Sequence, residues 1–466
     1  MQIMYKIKQL ALMLGDLVSF SIGFLLSISL RYLELPNWQT IEQHLALFLM
    51  VYFIWIITNF INGLYTLEHM NNDRAFYRRF TETGVISLII SITFFYLFPN
   101  QQIAPKTILL ANIILGYGLS ALWRIFFQKF IGIKALSTNT LFVGHTSEAQ
   151  ELIEILKKNP EKGYNVCALV DPSKQLKSSD LGFDVYNDLN TIRPAISNHN
   201  IHLVVIAPHL HQDNEALREL YELLFWEVQL IDLTAFYEMI TGRIPPSTFS
   251  EGWFLQNLRE TKQPIYDRFR AMVDYIVGTM LGIILIALLP ILALAIKINS
   301  PGPIFYKQTR VGQFGKIFWI WKLRSMYKLS EDGSAEVGDY EFDKWVAKKG
   351  DQRITAVGRF LRRTRLDELP QVINLLKRDI SLIGPRPERP EIVDDLKTVM
   401  PYYPLRHVVK PGLTGWALIH QNYTSTREKS LEKLQYDLYY IKNRSLLLDL
   451  IICLRTINIL IRLMGQ

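Results

Sequence analysis

Cysteine is nearly missing from these 466 residues: Cys167 and Cys453 are the only two. Two distant thiols give no disulfide framework and no cysteine-based zinc site, and they suit a reducing compartment. A small-residue cleavage site after the first apolar run is also missing, so that run is expected to stay as an anchor. Acidic residues are outnumbered, 43 Asp and Glu against 51 Lys and Arg, leaving a net charge of +8. That excess suits anionic partners such as lipid head groups or phosphorylated substrates, and equally a membrane protein with basic cytoplasmic loops. With 49% hydrophobic and 20% charged residues, the chain is too apolar for an ordinary soluble protein and too charged for a bundle of spans alone.

Four apolar stretches come first, about Gln9–Leu30, His44–Ile61, Thr83–Phe98 and Thr107–Phe127. Each approaches the ~20 residues that a spanning helix needs, the third being short. Asp16 and Arg124 lie within two of them, where a charge is either functional or paired and snorkelling. Lys6, Lys8, Arg74, Arg78, Arg79, Lys129 and Lys134 flank one side, against Arg31 and Lys106 on the other. The positive-inside rule then puts both ends of the bundle in the cytoplasm. A fifth stretch, about Ala271–Ile296, has basic residues on both flanks and Pro290 inside it. A helix that enters and returns on the same face reconciles those charges with its length, and proline is suited to the break. The last apolar run, Leu446–Leu463, carries Asp449, Arg455 and Arg462 and is expected to lie in the interface rather than span.

Between these regions, short β-rich runs alternate with helical patterns. Leu141–Val143, Val166–Val170, Leu203–Ile206 and Val228–Ile231 are expected as strands, Ala149–Lys158 and Asn214–Phe225 as helices. This is the rhythm of a parallel α/β sheet. After the first strand, Gly144 is followed by Thr146 and Ala149 where a dinucleotide fingerprint would place its second and third glycines. A structural or regulatory domain is therefore the better expectation than nucleotide binding.

The chemistry is concentrated in the last 200 residues. Pro301-Gly302-Pro303 precedes Arg310-Val311-Gly312 and Lys322-Leu323-Arg324, basic residues interleaved with glycine as in a phosphate grip. Arg353 follows, then Arg362, Arg363 and Arg365 immediately before Asp367-Glu368-Leu369-Pro370. Acidic residues and proline are ordinary at a helix start, here expected over Leu369–Lys377, but so much arginine is not. Carboxylates among these cations should have low pKa values, making poor general acids but usable nucleophiles or ligands for Mg²⁺. In Gly384-Pro385-Arg386-Pro387 an arginine is held between two prolines, preorganised for phosphate. Lys410-Pro411-Gly412 opens another stiff basic loop.

These ordered clusters, from about Tyr266 to the C-terminus, resemble the catalytic domain of the bacterial sugar transferases, the polyprenyl-phosphate hexose-1-phosphate transferases. The upstream layout is similar to the long form of that family in exopolysaccharide and O-antigen synthesis. The resemblance implies an enzyme that moves a hexose-1-phosphate from a UDP-sugar to polyprenyl phosphate. It puts Asp367 at the nucleophile, Glu368 at its Mg²⁺-binding partner, Arg362 and Arg386 at phosphate ligands, and Pro290 at the helix break. Arg310, Lys322, Arg324, Arg353 and Lys410 are further candidates for phosphate binding, and Pro385 and Pro387 stiffen the loop. Leu289 stands where the family often has Ser, Arg378 where Gly is usual, and Leu418 and His420-Gln421-Asn422-Tyr423 depart near the expected sugar site.

The fold expected is membrane α plus α/β. It has a four-helix transmembrane bundle at 1–134, a Rossmann-like middle domain at 135–245, a linker at 246–265, and a mostly helical catalytic domain at 266–466 with re-entrant and interfacial helices. Expected partners are a UDP-sugar, polyprenyl phosphate and the bilayer, with no nucleic acid and a homodimer suggested by the resemblance. The expected place is the bacterial inner membrane, with the catalytic domain facing the cytoplasm. The rival readings are an inactive scaffold of a polysaccharide assembly complex and a transporter.

Overall fold

The computed structural model describes residues 2–65, 74–97, 106–131, 137–173, 182–258, 263–327, 354–421 and 426–461. The chain divides into two compact units, Met1–Ile240 and Thr241–Gln466.

The first unit opens with α1 (Gln2–Tyr32), α2 (Trp38–Ile61), α3 (Arg74–Leu97) and α4 (Lys106–Phe126). Phe20, Phe48, Tyr52, Trp55 and Tyr117 fill the bundle, while Leu14, Val18, Ile22, Ile89 and Ile114 point outward. Apolar residues on both faces suit helices solvated by lipid. Among the described residues, four helices are long and apolar enough to cross a membrane: Ile7–Tyr32, Trp38–Ile61, Thr107–Lys129 and Pro264–Asn299. Helix α3 falls outside that set. Asp16 and Arg124 do not snorkel. They are buried and paired at 2.5 Å, with Ser120 donating to Asp16 at 2.6 Å and Arg124 donating to the Leu64 carbonyl at 2.9 Å.

The remainder of this unit is a five-stranded parallel sheet in the order β3-β2-β1-β4-β5. The strands are β1 (Thr138–Val143), β2 (Tyr164–Val170), β3 (Asp184–Tyr186), β4 (Leu203–Ile206) and β5 (Gln229–Asp232). Helices α5 (Ser147–Lys158), α6 (Ile192–His199) and α7 (Asn214–Glu222) connect them, and α8 (Leu233–Thr241) follows. Strand β3 has no signal in the sequence beyond three residues. The doubly wound order leaves a switch point beyond β1 and β4, where such folds place ligands. Gly144 there has φ +92°, and a Cβ on it would lie 2.6 Å from Ala207 Cβ and 3.0 Å from His209 and Leu210. The protein's own side chains crowd this glycine, so it serves the packing of two turns.

In the second unit, part of the segment expected as a linker, 246–265, is helical. Helix α9 (Glu251–Asn257) delivers Phe254 into a core with Ile244, Val311, Ile383, Tyr403, Leu434 and Leu438. Helix α10 (Pro264–Asn299) runs unbroken for 36 residues with Pro290 inside it, so the break expected at that proline is not seen. An antiparallel hairpin, β6 (Phe305–Val311) and β7 (Ile317–Leu323), precedes α11 (Ala356–Arg363), α12 (Val372–Leu376), β8 (Ser381–Ile383) and α13 (Pro390–Val399). Strand β9 (Gly412–Thr414) pairs parallel with β8, and α14 (Trp416–His420), α15 (Arg427–Lys442) and α16 (Leu446–Ile461) complete the unit. The charge of α16 is not all on a polar face: Asp449 turns inward and accepts from Tyr266 at 2.7 Å and Tyr440 at 3.0 Å.

Candidate active site

Helix α11 starts on Thr355, whose hydroxyl accepts the Gly358 N–H at 2.8 Å. It stops at Thr364, and Arg365 takes a left-handed conformation, φ 59°, that non-glycine residues seldom adopt. That reversal starts a 3₁₀ turn, Leu366–Gln371, carrying Asp367 and Glu368 in its first turn. The α-helix expected from Leu369 begins only at Val372, because Pro370 and the tight turn come first. Asn374 ties this segment to the hairpin. Its amide donates to the Trp319 carbonyl at 2.7 Å and accepts the Trp321 N–H at 3.2 Å.

Strand alternation places Lys322, Gln308 and Arg310 on one face of the hairpin. Glu368 Oε1 lies 3.1 Å from Arg386 and 3.7 Å from both Lys322 and Arg365. Burial alone would push this carboxyl up, but the charges of Arg386, Lys322 and Arg365 outweigh it and hold Glu368 far below the usual range. Asp367 behaves in the opposite way. Burial, and then the charge of Glu368, push it up to about 6 against Lys322, Arg362 and Arg365. The low pKa expected for both carboxylates therefore holds for Glu368 and fails for Asp367. A side chain near 6 is still mostly ionised at neutral pH, and more basic than an ordinary aspartate. Its Oδ1 is buried without a hydrogen-bond partner, as is Nη1 of Arg362.

Arg386 is carried on a crossing of two loops. Gly384 and Gly412 pass so closely that a Cβ on either would strike backbone of the other loop within 2.5 Å. Arg310 bonds Gln308 and reaches the Pro387 carbonyl at 3.5 Å, and burial lowers it to about 10. Two expected phosphate ligands sit elsewhere. Arg324 donates to the carbonyls of Ser300 at 2.5 Å and Pro301 at 2.9 Å, so its fork holds the turn after α10. Lys410 groups with Arg378, Asp274, Arg270 and Asp379. Arg353 lies outside the described residues. Sequence reasoning misses Arg365 as a partner of Glu368, and also Asn374 and Asp274. Asp274 accepts from Ser381 at 2.8 Å and from the Leu382 N–H at 2.9 Å, fastening β8 to α10. A lone aspartate within the apolar stretch Ala271–Ile296, four residues beyond Arg270, is the signal that marks it.

Two adjacent carboxylates, one strongly acidic and one near neutral, ringed by Arg and Lys at the end of a long apolar helix, suit phosphoryl chemistry at a membrane. Comparison with known families agrees. The bacterial sugar transferase family matches residues 265–463, and a family described as a CoA-binding domain matches 60–225. The chain is 40% identical over 193 residues to the UDP-glucose:undecaprenyl-phosphate glucose-1-phosphate transferase of Caulobacter vibrioides, covering 41% of this chain and 69% of that protein. It is 38% identical over 221 residues to the UDP-N-acetylgalactosamine-undecaprenyl-phosphate N-acetylgalactosaminephosphotransferase of Aeromonas hydrophila, 47% of this chain and 49% of that protein. A UDP-glucose:undecaprenyl-phosphate glucose-1-phosphate transferase of Escherichia coli is 33% identical over 331 residues, 67% of this chain and 66% of that protein. The chain belongs to the bacterial sugar transferase family. It spans from about half to two thirds of the length of the last two relatives.

Proposed function

We propose that this protein is a phosphotransferase that moves a hexose-1-phosphate from a UDP-sugar onto polyprenyl phosphate, releasing UMP. Asp367 attacks the phosphorus that bears the sugar. The bond to the bridging oxygen breaks, UMP leaves, and a phospho-sugar ester of Asp367 remains. An oxygen of polyprenyl phosphate then attacks the same phosphorus and displaces Asp367, giving the polyprenyl-diphospho-sugar. The observation that carries this reading is the buried, unpartnered Oδ1 of Asp367 beside a fully ionised Glu368. Arg362, Arg386, Lys322 and Arg310 would receive the donor phosphates. The same unpartnered oxygen, next to a second carboxylate, fits a hard divalent cation. Asp367 and Glu368 would hold Mg²⁺, which supplies neutralisation of phosphate charge.

Sidedness follows from the helix that bears the site. Asp274 and Ile296 of α10 are 22 residues apart, roughly 33 Å at 1.5 Å per residue, about the thickness of the hydrocarbon core. Yet Asp274 binds β8 while Leu292 and Ile296 pack with Leu323 and Leu361, all in the same unit. Contact with one unit near both ends, together with basic residues on both flanks, supports placing both ends of α10 on one face of the membrane, and we take it as re-entrant. The basic loops support a cytoplasmic position for that face, at the inner membrane of a bacterium. Self-association is supported by Leu217, Tyr221, Leu224 and Phe225, exposed near the open edge strand β5.

The test is UMP release by purified protein with polyprenyl phosphate, Mg²⁺ and a panel of UDP-sugars. Asp367→Asn should lower release by several powers of ten with the melting temperature preserved. Release by that variant near wild-type rates overturns the assignment, and no release by folded wild type with any sugar favours a scaffold.

A further inference from the structure

Beneath the loop that carries Arg386 lies a second set of charges, unused by the reaction above. Arg406 is fully buried, and its Nε and Nη2 both donate to Asp437 Oδ2, at 3.0 and 2.7 Å. Nη1 donates to the Tyr403 hydroxyl at 2.7 Å and stands 3.7 Å from Glu388, which also bonds Lys433. Nη2 donates in addition to the main-chain carbonyl of Arg386 at 3.0 Å.

Two buried cations against two buried carboxylates do not by themselves favour folding. An apolar cluster of the same volume is often as stable or more so. What apolar side chains cannot supply is a donor for that carbonyl. Every carbonyl from 385 to 388 is engaged: Pro385 by the Gly412 N–H at 2.9 Å, Arg386 by Arg406, Pro387 by Arg310 at 3.5 Å, and Glu388 by the Val311 N–H at 2.9 Å. Arg406 holds the one at the residue whose guanidinium meets Glu368.

We infer that Arg406 is a positioning residue for phosphate binding: it acts through Arg386, fixing that residue's backbone so that its guanidinium is aimed before substrate arrives. The inference rests on the transferase reading above and deepens it. Arg386 does the binding, and Arg406 touches no substrate. Because catalysis of this kind depends on placement, a shift of about 1 Å costs about 100-fold.

The experiment is a double-mutant cycle on full-length protein in lipid. Arg406→Lys keeps the charge opposite Asp437 but cannot reach both that carboxylate and the Arg386 carbonyl. It should lower kcat/KM for UMP release about 100-fold in the wild-type background, and by less than roughly 3-fold when Arg386→Ala is already present. Equal losses in the two backgrounds would overturn the inference, since a merely structural residue weakens both alike. Amide hydrogen exchange across 381–389 gives a readout independent of turnover. It should rise about tenfold or more in Arg406→Lys and stay near wild type in Arg386→Ala, and unchanged exchange in folded Arg406→Lys overturns the inference. If wild type releases no UMP, the transferase reading fails and the exchange result alone decides the role of Arg406. If Arg406→Lys does not fold, Tyr403→Phe frees only Nη1 and should show the same dependence on Arg386 with a smaller loss; equal loss in both backgrounds again overturns it.

Discussion

Gly384→Ala tests how the site is held without touching any charged group. The new Cβ would lie 2.4 Å from the Lys410 carbonyl oxygen, 2.9 Å from the Gly412 nitrogen and 3.0 Å from the Pro411 carbonyl carbon. All three are backbone atoms, so no side chain can swing aside. The two loops must part by roughly 1 Å to regain ordinary van der Waals separation. They are held against that by the Ser381 N–H on the Pro411 carbonyl at 2.8 Å, Gly384 on Thr414 at 2.8 Å and Gly412 on Pro385 at 2.9 Å.

Overpacking of this kind costs about 1–3 kcal/mol, or roughly 3–10 °C in melting temperature for a unit of this size. The functional loss should be larger in proportion. Arg386 is two residues downstream, and a displacement of about 1 Å there costs about 100-fold in kcat/KM. The assay is UMP release beside a thermal melt. Gly252→Ala is the control, since its Cβ meets nothing within 4 Å in an exposed helix; it should be neutral or stabilising by up to about 1 kcal/mol. Wild-type activity and stability in Gly384→Ala would refute the claim that the crossing sets the position of Arg386.

Glu368→Gln should weaken the dependence on Mg²⁺, and an unchanged Mg²⁺ titration would remove Glu368 from that role. Glu388 is held down to about 2 by Lys433 and Arg406 against burial, from 4.5 when unpaired. Its folded pKa lies below its unfolded one, so its contribution is complete above about pH 4.5 and is lost as pH falls toward 2. Melting temperature should fall more steeply across that window in wild type than in Glu388→Gln. Asp274→Ala leaves the Ser381 hydroxyl and the Leu382 N–H without their acceptor, and should lower stability by about 2–3 kcal/mol, read by thermal melting in lipid.

The spans and the sheet are legible because hydropathy and alternation are local properties of the chain. The basic and acidic clusters are legible too, since arginine between prolines and adjacent carboxylates after three arginines are dense patterns. What the clusters hide is partnership. Arg362, Arg363 and Arg365 suggest that both carboxylates are strongly acidic, yet the cation closest to Glu368 is Arg386, 18 residues away, and Asp367 is pushed up by burial. Arg324 looks like Lys322 in sequence, but its fork is taken by the carbonyls of Ser300 and Pro301. The end of α11 at Arg365 depends on a left-handed residue with no glycine to announce it. Arg406, buried within the unit, is invisible because a buried arginine and an exposed one are written alike.

Two routes of contact connect the apolar helix to the paired carboxylates. Asp274 of α10 fastens β8, whose end leads through Gly384 into Arg386, and Arg386 bonds Glu368. From the other side, Asn374 locks the 3₁₀ turn and α12 to the hairpin that presents Lys322, and the far end of α10 packs on β7 and α11. On the proposed reading, the depth of α10 in the bilayer would set the height of Asp367 above it. A lipid phosphate carried at the head-group plane can reach such a site without leaving the membrane. On the proposed mechanism the split between the carboxylates has a use: Glu368, ionised, would hold positive charge in place, while Asp367 would keep enough basicity to attack.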